Sequence, residues 1–414
     1  MLQIIDSRQA GRILERRAAR LSEAEAAVRP ILEAVRKHGD KALLAYARRF
    51  DGLDRRSVAV PQRELDAAAA HLDPDFRAAV RVASRNIRAF AKLQLPQPRS
   101  AVIAPGIRLG QIVRPLETVA AYIPSGRYPL PSTLLMTVIP AQVAGVKNVC
   151  VASPRAAPEI WGAASLLKVT RVFQMGGAHA IAAFAYGTRT VPRAERIVGP
   201  GNIYVAAAKK LLAGEVGIDF IAGPTEIVLV AREGNPAWIA ADMLAQAEHD
   251  TDASAVLLTT SKRLAQAVVK EVERQLADLP TAAVARVAID SNSAVILVGS
   301  IGQAMEMANR LAPEHLSIAD AGLLKQVENA GSVFIGPHST EAAGDYASGP
   351  NHVLPTSGAA RLRGGLSSAD FVKVISTQEL TPAALKRLEP AITTLARAEG
   401  LEAHARSVEA RGRV

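Results

Sequence analysis

The chain has 414 residues, of which 49% are hydrophobic and 21% charged, a composition that excludes a disordered or collagen-like chain and leaves room for two or three domains of about 100–200 residues each. The net charge is +10. Of this, a surplus of 9 lies in the first 120 residues, where 22 Lys/Arg face 13 Asp/Glu. The basic residues alternate with acids at helical spacings, which describes a solvated helical surface or, alternatively, one that steers an anionic ligand, and no nucleic-acid-binding pattern accompanies them.

Residues 1 to about 95 read as helical. Ser22 and Glu25 have capping-box spacing, and Val28, Ile31, Leu32 and Val35 fall on one face. Asp73-Pro74 has the form of a cap followed by a first-turn proline and opens a helix through Phe90. The stretch beginning at Leu95, LPQPRS, is a proline-rich break. From about 118 the rhythm changes to short β-branched runs at 118–123, 148–151, 171–174 and 196–198, separated by helices near 132–144, 159–168, 177–186 and 202–212. A second set of runs follows at 226–230, 255–258, 294–298 and 332–335. Such alternation implies βαβ units around parallel sheets. The fold expected is α/β, with two incomplete Rossmann-like domains, a helical N-terminal segment and a helical C-terminal tail. The boundaries expected are 1–20 for the helical segment, 21–120 with 228–368 for one α/β domain, 121–227 for the other, and 369–414 for the tail. The tail, helical from about Pro382 and highly charged, shows no core of its own.

The single cysteine, Cys150, allows neither an intrachain disulfide nor a thiolate zinc cage and points to a reducing, cytoplasmic setting. The N-terminus lacks the order of a secretory signal. The longest apolar stretch, 134–146, is interrupted by Pro140 and Gln142 and falls short of the ~20 residues a membrane helix needs.

No G-x-G-x-x-G fingerprint is present. Three other turns, PSGR from Pro124, GGAH from Gly176 and GPGN from Gly199, each follow a strand and open a helix, so their N–H groups face either an anion or ordinary turn partners. Among the eight histidines, His38 and His71 read as surface residues. Gln246 and His249 share a helix face, Glu314 and His315 follow a proline, Asp345 and His352 bracket Gly349-Pro-Asn, and Glu399 and His404 lie near the end. Imidazole, carboxylate and amide groups suit zinc without thiolates.

The segments YIPSGRYPLPSTLLM, GGAHAIAAFAYGT, RIVGPGNIYVAAAKK, DFIAGPTEIVLVA, AQAEHD, NRLAPEHL and GDYASGPNHVLPT, in that order from about 120 to 360, together resemble histidinol dehydrogenases. Weaker similarity reaches both ends, including GDKALLAYARRFDG near the start. The resemblance implies a zinc- and NAD-dependent enzyme of histidine biosynthesis that oxidises L-histidinol through L-histidinal to L-histidine with two NAD. It places the metal ligands, for one zinc per subunit, on Gln246, His249, Asp345 and His404. The acid/base pair falls on Glu314 and His315. Substrate contacts fall on Thr225, Gln246, His249, His315, Asp345, Glu399 and His404, and cofactor contacts on Tyr122, His179 and Asn202. It also implies a homodimer whose sites take the C-terminal segment from the neighbouring chain, with neither nucleic acid nor membrane as partner. Two positions depart from the family pattern. Thr225 stands where serine is usual, keeping the hydroxyl, and His179 where glutamine is usual, which predicts weakened or pH-sensitive NAD binding. The alternatives are a paralogous dehydrogenase of another small polar alcohol, such as a sulfonated diol, for which an arginine in the pocket would be expected, and a non-catalytic zinc- or nucleic-acid-binding protein.

Overall fold

The computed structural model describes residues 1–14, 21–125, 129–155, 157–221 and 223–412. The chain divides into two compact units, Met1–Gln94 with Glu117–Phe371, and Leu95–Leu116 with Val372–Val414.

The first unit carries two parallel sheets. One has five strands in the order Arg171–Gln174, Asn148–Ser153, Thr118–Tyr122, Arg196–Val198 and Gly217–Ile218. Every residue of its central strand, Thr118–Tyr122, is buried. Helices cover both faces of a parallel sheet, so its inner strands are apolar throughout instead of alternating. Pro131–Val143, Pro158–Leu166, Gly177–Tyr186 and Ile203–Leu212 are the connecting helices. The N-terminal helices Leu21–His38 and Asp40–Asp51 join this body, burying Val28, Leu32, Leu43 and Ala47 with Ile181, Phe184, Val205 and Leu212. The sequence division had grouped them with the strands after 228. Residue Ser22 lies in the first turn of its helix, not ahead of it as a cap. Asp73 does cap, its carboxylate accepting from the N–H groups of Asp75 (2.8 Å) and Phe76 (3.2 Å), and the helix runs on to Gln94.

The second sheet has six parallel strands in the order Gln3–Asp6, Ala294–Leu297, Ser254–Thr259, Glu226–Val230, His315–Ile318 and Ser332–Ile335. Two of these, Gln3–Asp6 and His315–Ile318, were not foreseen; each is only four residues long. Alternate residues of Glu226–Val230 feed two cores. Ile227 and Leu229 pack with Met243, Leu257 and Val268, whereas Val228 and Val230 pack with Ile296, Met305 and Leu316.

The second unit has an antiparallel sheet, Val372–Leu380, Ile107–Pro115 and Arg99–Ala104, followed by helices Pro382–Ala398 and Glu402–Gly412. The hairpin turns at Pro105-Gly106, with Gly106 at φ 75°. The tail therefore shares a unit with three strands that sequence periodicity did not reveal. Among the described residues no helix is long and apolar enough to cross a membrane.

Candidate active site

A polar cluster lies at the amino ends of two central strands of the six-stranded sheet. Glu226 begins one strand with Thr225 just before it, His315 begins the neighbouring strand with Glu314 just before it, and the register pairs His315 with Ile227. Ligands more often bind at the carboxyl ends of parallel strands. Here the helix Pro236–Ala247 returns along the sheet and delivers Gln246 and His249 to the amino edge. The short helix Glu341–Tyr346 adds Glu341 and Asp345, four apart and hence on one face.

The contacts are dense. The Thr225 hydroxyl donates to Glu314 Oε2 (2.5 Å), which also accepts from the Glu226 N–H (3.1 Å). Thr225 Oγ1 lies 2.6 Å from the Gln246 amide. With its oxygen turned to Thr225, the Gln246 amide donates to Glu341 Oε1 (2.9 Å) and faces His315 Nδ1 (3.1 Å). A hydroxyl has one proton, so in that orientation Thr225 donates to Gln246 and Glu314 must supply the proton between itself and Thr225. Amide orientation and Glu314 protonation are thereby linked. His315 Nδ1 sits 3.3 Å from the Glu226 carbonyl, to which only a protonated nitrogen can donate. Nε2 is buried, has no hydrogen-bond partner among the described residues, and lies 3.6 Å from Asp345 Oδ1.

Burial and crowding shift the titrations. Burial pushes Glu314 up to about 7 against the opposing influence of His315 and Thr225. Burial would lower His315, but the carboxylates of Glu341, Glu314 and Asp345 outweigh it and raise the imidazole. Burial raises Glu341, which is 3% exposed, and lifts Asp242, one helical turn before Gln246, to about 6. Asp345 is held below the usual carboxylate range by His315 in spite of its burial.

Donor atoms of His249, Glu341 and Asp345 lie within 4.8 Å of one another. The cluster thus combines a carboxylate surplus, an imidazole, an adjacent amide and an unpartnered buried nitrogen, a donor set that fits a divalent cation bound through nitrogen and oxygen. Of the expected ligands, Gln246, His249 and Asp345 are in this cluster. His404 and Glu399 belong to the second unit, where both are exposed, on helix Glu402–Gly412 and at the end of Pro382–Ala398 respectively. His352 serves the cluster from behind. Its Nδ1 donates to the Asp345 carbonyl (2.7 Å) and its Nε2 meets Thr133 Oγ1 (3.3 Å), while burial lowers its pKa. Glu341 was missed in the sequence, although its spacing to Asp345 was a readable signal.

The glycine turns lie at the carboxyl edge of the five-stranded sheet. Gly126 and Arg127 of the first turn are outside the described residues. In the second, the Gly176 N–H donates to Asp51 Oδ2 (2.9 Å) and the Gly177 N–H to the Tyr122 hydroxyl (3.1 Å). Tyr122 is buried, which pushes its phenol to about 12. In the third, Gly199 at φ 110° passes so close to the Tyr122 carbonyl that any side chain would collide with it. Its N–H donates to Asp219 (2.7 Å) and its carbonyl accepts from Lys209 (2.9 Å), and Lys209 and Asp219 form a buried ion pair. Asn202 caps the next helix through Oδ1, accepting from Tyr204 and Val205 (3.1 Å each). Exposed Asn202, Ile203 and Tyr204 give this edge the mixed polar and aromatic character that suits a nucleotide. His179 fits less well as a direct contact, because it is 1% exposed and its Nε2 is bound to Asp51 (2.7 Å).

The pattern that defines the histidinol dehydrogenase family matches residues 14–412. A histidinol dehydrogenase of Geobacter sulfurreducens is 47% identical over 400 residues, which is 94% of this chain and 93% of that one. Another, from Bacillus anthracis, is 45% identical over 392 residues, 93% and 91% of the two chains. The crystal structure of histidinol dehydrogenase from Elizabethkingia anophelis matches with a TM-score of 0.95 at 36% identity, covering 99% of this chain and 98% of that chain.

Proposed function

Because the chain belongs to the histidinol dehydrogenase family of NAD-dependent oxidoreductases, we propose that it oxidises L-histidinol to L-histidinal and then to L-histidine with two NAD and one zinc ion per subunit, in the cytoplasm. The observation that carries this reading is the cluster of half-buried Thr225 with buried Gln246, Glu314 and His315, and His249 and Asp345 beside it. Gln246, His249 and Asp345 would hold the metal, and Glu399 and His404 of the partner subunit would complete the site in a homodimer. The exposed apolar residues Val102, Ile103, Leu109, Val374 and Ile375 on the antiparallel sheet support such an association. When bound, zinc would orient the substrate's imidazole and amino nitrogens, and NAD would take up the hydride of each oxidation.

The chain's own residues handle the protons. The carboxylates of Glu341, Glu314 and Asp345 raise His315 against its burial; a divalent cation held by Asp345 would offset their charge and favour the neutral imidazole. In the tautomer with Nδ1–H directed at the Glu226 carbonyl and the Gln246 amide oxygen, not its NH2, on the His315 side, Nε2 is the base that accepts the alcohol proton. Glu314, titrating near 7, both holds and releases a proton at neutral pH and serves to activate the water added to the aldehyde. Burial of both side chains excludes bulk water.

The acidic cluster favours a cationic amino-imidazole alcohol over a sulfonated diol, which these carboxylates would repel. An NAD-reduction assay with L-histidinol and with a sulfonated diol, before and after chelation, tests the proposal. Turnover of L-histidinol alone, lost with the metal and restored by zinc, is the expected result; turnover indifferent to chelation would overturn the metal assignment.

A further inference from the structure

We propose that Asp51 and His179 form a positioning pair for the cofactor edge, and that His179 acts through this pair instead of touching the cofactor. The inference rests on the reading that NAD binds along the carboxyl edge of the five-stranded sheet. Asp51 is the last residue of helix Asp40–Asp51, where Gly52, at φ 65°, turns the chain away. One oxygen, Oδ2, accepts both the Gly176 N–H (2.9 Å) and His179 Nε2 (2.7 Å). A carboxylate oxygen only accepts, so Nε2 carries the proton in this contact. Both side chains are buried, at 5% and 1% exposure, where a charged group and its partners are strong only as a complete set. The rings of Tyr46 and Phe50 lie at 6.0 and 6.1 Å from the imidazole and fix its plane.

The pair acts on the edge through a short chain of contacts. Asp51 holds Gly176, the next residue's N–H donates to the Tyr122 hydroxyl, and the Tyr122 carbonyl packs on Gly199, which Asp219 and Lys209 hold in turn. A side chain on Gly176 would meet Pro154 Cβ at 2.5 Å and Asp51 Oδ1 at 3.0 Å, so the glycine lets this turn sit against both. Asp51 thus sets where the Tyr122 hydroxyl stands. An N-terminal helix, far away in sequence, decides the shape of the surface offered to the dinucleotide.

The test is a calorimetric titration of the zinc-loaded enzyme with NAD and, separately, with L-histidinol, alongside kcat and both KM values. Asp51→Ala and the volume-keeping His179→Leu should each weaken NAD about tenfold while L-histidinol affinity stays within about twofold, the signature of a local loss on one side of the site. His179→Gln, whose amide can still donate to Asp51, should stay within about threefold of the wild-type NAD affinity. His179→Leu carries the test if Asp51→Ala does not fold. Unchanged NAD affinity in the disrupted variants would overturn the proposal. So would parallel losses for NAD and L-histidinol, which would mark a general structural role. A wild-type enzyme that takes up no NAD would instead overturn the cofactor reading on which the proposal rests.

Discussion

The two parallel sheets put buried charge to opposite uses. At the carboxyl edge of the five-stranded sheet, Lys209 is matched by Asp219, Asp51 accepts a hydrogen bond from His179 Nε2, and each carboxylate also takes a backbone N–H of a glycine turn. At the amino edge of the six-stranded sheet, Glu314, Glu341 and Asp345 surround His315, whose Nε2 has no hydrogen-bond partner among the described residues. The first arrangement is closed and rigidifies the turns. The second is incomplete, and a cation, a substrate or a proton can complete it. Equal burial therefore leads to stability in one place and reactivity in the other, depending on whether the charges are already matched.

Breaking the open set should cost rate more than fold. His315→Asn keeps the shape and an Nδ-like donor to the Glu226 carbonyl but removes the nitrogen at the Nε2 position; loss of a positioned base of this kind should lower kcat by about 10²–10⁴. Steady-state NADH formation reads this, with metal content and NAD affinity as controls that should not move. A matching fall in NAD affinity would show that the two edges are not separate in function.

Breaking the closed set should do the reverse. Lys209→Met leaves Asp219 buried beside the Gly199 turn without its cation, which should destabilise the fold by about 3–5 kcal/mol, seen as a lower denaturation midpoint. The counterpart at the open edge is Glu341→Gln. It relieves the crowding of carboxylates, so the metal-free protein should melt higher than wild type, while the partner of the Gln246 amide is weakened and metal affinity falls by about 10–100-fold. Metal titration and melting curves of the same samples check both halves. A Glu341→Gln variant that melts lower without metal would contradict the contrast.

Most of the fold was readable because parallel strands covered on both faces leave short, wholly apolar runs. The runs at 171–174, 196–198, 226–230 and 332–335 match strands of those bounds. The strands of the antiparallel sheet escaped because Arg99–Ala104 and Val372–Leu380 are largely exposed on both faces, so no alternation marks them. The Pro105-Gly106 turn was the one local cue. His315–Ile318 was hidden by its polar first residue, which belongs to the site as much as to the strand. Gln246, His249, Glu314, His315 and Asp345 were legible through motif resemblance and helical spacing. Asp51 was not, since its partner is 128 positions away and nothing local announces the contact. For Glu399 and His404 the sequence suggests a role that the first unit alone does not display.

The smallest effect concerns protons and tests whether the open edge is as incomplete as it looks. Burial holds Glu314 near 7 in the folded protein against an ordinary 4.5. The folded form therefore binds this proton more tightly than the unfolded chain. The resulting stability is fully present below pH 4.5 and is lost as the pH rises through 7, which amounts to about 1–3 kcal/mol for a buried carboxyl of this kind. Glu341, raised by burial as well, adds a contribution of the same sign. Metal-free wild type should thus lose more stability between pH 5 and pH 8 than Glu314→Gln, which keeps the shape but has no proton to lose. The difference between the two pH dependences isolates Glu314 from Glu341. Parallel curves would mean that Glu314 is ionised in the fold at pH 5, already matched by the Thr225 hydroxyl and His315, and the amino edge would then resemble the closed edge in kind.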